Sequence, residues 1–192
     1  MSGTVSRSLV IVLAVVLVGV LGLAALSTGA GTAPTGQPTR EMVLRGRYLV
    51  TAAAGCQHCH QGADPNDLQW LAGSSRVFQV GAFKVYASNL TPDPTGLGTW
   101  TAQQVFDSLR LGKAPDGKYL APPMPWPGYR NLSDDDLGAI VAYLRSIKPV
   151  ANAVPVSEGP NAAPGQRGDW SASYEKLQPF PEYPGTQEIP VD

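Results

Sequence analysis

Both cysteines and both histidines of the chain fall within the five residues Cys56-Gln57-His58-Cys59-His60. The order is C-x-x-C-H, the attachment sequence of haem c. Thiols at this spacing can form thioethers to the two vinyl groups of one porphyrin, while the imidazole after the second thiol swings beneath the ring to ligate iron. Cys56 and Cys59 are therefore the covalent anchors and His60 the proximal iron ligand. His58, between the cysteines, is a bystander facing solvent. A tetrahedral zinc site needs ligands from separated chain segments, and this single turn cannot wrap one ion. A redox disulfide belongs on a thioredoxin-like βαβ pattern, which the sequence lacks.

With the histidines exhausted, the sixth iron position falls to methionine, lysine, water or nothing. Met1 precedes an apolar run, and Met42 lies on the segment leading into Cys56, where core packing is its expected role. Met124 sits in "LAPPMPWPGY", where Pro122, Pro123, Pro125 and Pro127 stiffen the loop and can present a thioether at a fixed position. Met124 is thus the candidate sixth ligand to a single haem c iron. An iron closed by His60 and Met124 has no open position, so outer-sphere one-electron transfer is expected and no small-molecule substrate. The alternative of another class is a haem sensor or small peroxidase, which requires a labile Met124.

These residues need elements to hold them. Thr39 is placed to N-cap a helix running to about Ala54, in which Gly46 suggests a close helix crossing. A second helix is expected from Thr101, with Gln104 at the capping-box position, to Gly112. Leu137, Ile140, Val141, Leu144 and Ile147 follow helical spacing behind the N-cap Ser133, and Pro149 closes that helix. Residues 70–94 show little helical period and read as ordered loop with short β-like pieces such as "KVYAS". After residue 155 proline recurs, and Trp170, Tyr174, Phe180 and Tyr183 are scattered without period, so an extended tail is expected.

Near the N-terminus, Leu9–Leu26 carries no charge and follows a lone Arg7. It reaches the lower end of the roughly 17–25 residues that span a bilayer. A cleaved signal peptide is the competing reading. No basic residue follows Arg7 until Arg40, so the positive-inside bias exports the rest of the chain. The expectation is a single-pass protein of the cytoplasmic membrane, its haem domain on the periplasmic side. The formal net charge of -1 offers no field for nucleic acid.

The chain resembles class I c-type cytochromes: a helix before C-x-x-C-H, a methionine loop and a last helix, "DDDLGAIVAYLRSIKPV". Through "YASNLTPDPTGLGTW" and "LRLGKAPDGKYLAPPMPWPGY", it is most similar to single haem domains in the cytochrome subunits of membrane-bound alcohol, aldehyde and gluconate dehydrogenases. The likeness covers about residues 45–155; those subunits usually carry three such domains, whereas this chain has one C-x-x-C-H. It implies an all-α cytochrome c fold around one covalent haem, with an N-terminal transmembrane helix and an extended C-terminal tail added here. The first and last helices should cross with Gly46 against Tyr143 and Leu144. Tyr86, Asn89 and Trp100 carry polar hydrogens for the propionates, or serve as core and loop residues. Leu71, Phe106, Leu109, Tyr119 and Trp126 are candidates for the haem crevice.

The expected organisation is a membrane anchor over 1–28, a tether over 29–38, the cytochrome domain over 39–154 and the tail over 155–192. Partners should be redox proteins or a membrane complex, reached either as a free carrier or as a fixed dehydrogenase subunit.

Overall fold

In the computed structural model, residues 31–61 and 70–177 are described. Helix α1 spans Arg40–Tyr48, and the Thr39 hydroxyl caps it by accepting from the Met42 N–H at 3.2 Å. Over Leu49–Ala53 the helix widens to a π turn, with Ala54 N–H donating to Leu49 C=O at 2.7 Å. The short helix α2, Gln57–His60, follows directly. Helix α3, Ala102–Arg110, starts on a complete capping box between Thr101 and Gln104. A single turn, α4, covers Trp126–Tyr129. Helix α5, Asp134–Ser146, is capped by Ser133, and Asp134, Asp135 and Asp136 place carboxylates where the helix dipole favours them.

Helices α1 and α5 pack together and meet at Gly46. A Cβ there would collide with the Ala139 carbonyl and press on the Tyr143 Cβ, so glycine is what lets the two backbones approach. Tyr143 is the expected partner, while Ala139 takes the place assigned to Leu144. Gly46→Val is expected to cost about 1–3 kcal/mol through overpacking, read as a lower urea midpoint at unchanged slope.

The all-α expectation does not hold. Ser74–Val80 (β1) and Phe83–Ala87 (β2) pair as an antiparallel hairpin, with Phe78 opposite Val85 and Val80 opposite Phe83. Gly81 supplies the positive φ of 59° in its two-residue turn. Alternation of Phe78 and Val80, then Phe83, Val85 and Ala87, gives the hairpin one apolar face.

The extended tail is corrected too. Within 155–177 the chain hugs β2: Glu158 N–H donates to Lys84 C=O at 2.9 Å, and the Ser157 hydroxyl accepts from Tyr86 N–H at 2.9 Å. It then forms helix α6, Ser171–Glu175, and buries Trp170 and Tyr174 against Val85 and Trp126. These contacts cover an edge strand that would otherwise present unpaired backbone. No helix among the described residues is long and apolar enough to cross a membrane. The expected span within 1–28 lies outside the described residues.

Candidate functional site

The widened turn after α1 and Gly55, at φ 60°, deliver the chain into the Cys56 turn. From Cys56 to His60 the backbone closes one helical turn, with His60 N–H donating to Cys56 C=O at 2.9 Å. Residues three and four apart share a helix face, so Cys56, Cys59 and His60 project to one side. His58 falls on another side and is exposed, as expected.

That side opens on a cavity of about 510 Å³ lined by Cys56, Cys59, His60 and Met124 together. The size lies within the roughly 300–1,000 Å³ of cofactor pockets. The structure thus gathers on one wall-to-wall space the four residues singled out from the sequence. Met124 reaches it from the proline loop, half-buried between the two apolar clusters of the protein. Met42 is absent from the lining.

The His60 ring is buried, and its Nδ1 lies 2.7 Å from the Ser88 carbonyl oxygen. A carbonyl only accepts, so Nδ1 carries the proton and Nε2 keeps the lone pair a metal requires. Burial lowers the pKa of His60, while the bond to Ser88 works in the opposite direction. The imidazole is therefore held neutral and oriented, as ligating histidines generally are. Ser88 was missed in the sequence because its contribution is a main-chain oxygen, 28 residues away.

Burial also pushes the Cys56 thiol up to about 11, so it is protonated at neutral pH. Tyr129, likewise missed, lines the cavity and donates its hydroxyl to Ala54 C=O at 2.7 Å, pinning the turn just before the cysteines.

Of the expected crevice residues, Leu109 lines the cavity, joined by Leu97, Ile140 and Leu144. Leu71 and Phe106 sit behind it in the main core, and Tyr119 and Trp126 stack in the second cluster, centroids 5.6 Å apart. Tyr86, Asn89 and Trp100 all line it. Asn89 is committed elsewhere: its amide donates to Thr95 Oγ1 and Val150 C=O, and its carbonyl oxygen accepts from Thr91. It knots the loop and has no hydrogen left for a propionate.

The donor set fits a covalently held porphyrin on three counts. Two thiols share a helix face, a neutral imidazole is fixed through its Nδ1, and a thioether shares the same largely apolar space. Apolar walls suit the ring, whose burial would complete the core.

Residues 43–148 match the family model described as cytochrome c. The chain is similar to the fructose dehydrogenase cytochrome subunit of Gluconobacter japonicus, 36% identical over 68% of this chain and 28% of that one. It is 32% identical to the alcohol dehydrogenase (quinone) cytochrome c subunit of Gluconobacter oxydans, over 82% of this chain and 32% of that one. With the gluconate 2-dehydrogenase cytochrome c subunit of Pantoea cypripedii it shares 35% identity, over 74% and 30% respectively. The chain thus spans about a third or less of these relatives' length.

Proposed function

Given that the chain belongs to the cytochrome c family, whose domain implies covalently bound haem c, we propose that it carries one such haem and transfers single electrons between redox proteins. The observation that carries the reading is the shared cavity, with Cys56, Cys59, His60 and Met124 on its walls and His60 fixed by Ser88. Cys56 and Cys59 would hold the ring, each thiol being able to form a thioether to one vinyl group by net addition of its S–H, which needs no oxidant. His60 through Nε2 and Met124 through its thioether would hold the iron, which when bound supplies one-electron redox chemistry. The surrounding aliphatic side chains exclude water and so favour the less charged, ferrous state.

Similarity to the cytochrome subunits of fructose, alcohol and gluconate dehydrogenases favours a second, finer reading. In it the protein takes electrons within a dehydrogenase complex. Purification from native cells followed by haem staining tests both. A stoichiometric dehydrogenase on the stained band supports the subunit, and a lone band with a six-coordinate, reversibly reducible haem supports the free carrier. A haem-free chain would sink both readings. The uncharged Leu9–Leu26 run behind Arg7 supports a site of action outside the cytoplasm, which the same fractionation checks.

A further inference from the structure

Residues 155–177 do more than cover the hairpin edge. Ser157 and Arg167 both line the cavity, and both lie past residue 148, where the family match ends. Among the described lining residues, Arg167 is the only one with a permanent charge; the others are apolar or neutral polar groups. A haem brings two carboxylates, and setting one against a wall without a cation is strongly unfavourable.

Arg167 is held in place but only loosely engaged. Its backbone is fixed on both sides, by Ser157 and Glu158 on β2 and by Trp170 and Tyr174 in the aromatic cluster, and Lys118 Nζ donates to its carbonyl at 2.9 Å. Its guanidinium reaches Asp116 Oδ1 and Tyr119 C=O only at 3.5 Å each, the outer limit of hydrogen bonding. The side chain is 34% exposed, placing the head at the rim, where a carboxylate could meet both cavity and water. A guanidinium has five donors in a fork that matches a carboxylate, so most of its capacity remains available.

We propose that residues 155–177 form a strap that completes the cofactor site, with Arg167 pairing a haem propionate. This rests on the haem reading above. Ser157 acts as the staple, since its hydroxyl both accepts from and donates to the Tyr86 backbone. Arg167 is a positioning and charge-balancing residue.

The test is the midpoint potential of the holoprotein, with near-UV circular dichroism reporting whether Trp170 and Tyr174 stay packed. A cation near the haem favours the ferrous form. Arg167→Gln is therefore expected to shift the ferrous–ferric equilibrium about three- to tenfold toward ferric, or about 30–60 mV at 59 mV per tenfold. Arg167→Lys should keep most of the wild-type potential. Trp170→Ser, which releases the strap, should lower the potential similarly and leave Arg167→Gln without further effect. An unchanged potential in Arg167→Gln, an equal fall in Arg167→Lys, or additive shifts in the double variant would overturn the proposal. Failure of the haem reading looks different, since the wild type itself would then lack haem.

Discussion

Serine at both Cys56 and Cys59 is expected to abolish the haem signal that survives boiling in detergent, and to unfold most of the chain at physiological temperature. The first effect is chemical, because serine forms no thioether to a vinyl group under the same conditions. The second follows from the lining of the cavity. Without the ring, Leu97, Leu109, Ile140 and Leu144 would face water across the cavity instead of packing on a porphyrin, and apolar surface so exposed costs about 25 cal/mol per Å². Total stabilities of single domains are only about 5–15 kcal/mol, so losing that burial is expected to remove a large share of the fold's margin. Covalent attachment matters here because a tethered ring sits at high effective concentration, whereas a free one dilutes away. Each single variant should retain one thioether and an intermediate stability, with the pyridine haemochrome band displaced in the direction of one unsaturated vinyl. Wild-type levels of detergent-resistant haem in the double variant would eliminate Cys56 and Cys59 as the anchors.

What the sequence made legible was local in origin. Thr39, Thr101 and Ser133 sit before apolar periodicity of the right phase, and each caps its helix as its position implied. The cysteines and His60 share one turn because their spacing leaves a helix little alternative. Other features depend on partners far along the chain. Trp170 and Tyr174 show no period of their own, since what buries them is Val85 and Trp126. The Ser88 carbonyl leaves no mark in residue type at all.

The hairpin is different, for its signal was present. Phe78, Val80, Phe83 and Val85 alternate around Gly81-Ala82, a two-residue turn. The all-α expectation follows from the resemblance to c-type cytochromes, and the two-stranded ribbon with one apolar face departs from it, stable only when the strap and the second cluster pack on it. The strap, by contrast, carries no local signal. Its segment is rich in proline and glycine and gains order entirely from β2 and the aromatics it covers.

Met124 separates ligation from packing. It touches both apolar clusters, so Met124→Ala removes contacts as well as a sulfur. A loss of stability in that variant alone would therefore decide nothing. Met124→Leu supplies the control, since a volume-conserving exchange usually costs less than about 1.5 kcal/mol. Ligation predicts that both variants lose the sulfur-to-iron charge-transfer band of the oxidised protein and bind small ligands such as cyanide, which the wild type resists. Both should fall in midpoint potential by on the order of 0.1 V, a fraction of the roughly 0.8 V that axial ligation governs. Among the described residues, neither variant finds a substitute thioether or imidazole in the cavity. Met42 is absent from the cavity lining, and His58 is exposed on another side of its helical turn. Packing alone predicts the reverse: an unchanged spectrum and potential in Met124→Leu, and lowered stability only in Met124→Ala. That outcome, or a high-spin iron in the wild type, would leave the sixth position open and move the protein from electron carrier toward the sensor or peroxidase class.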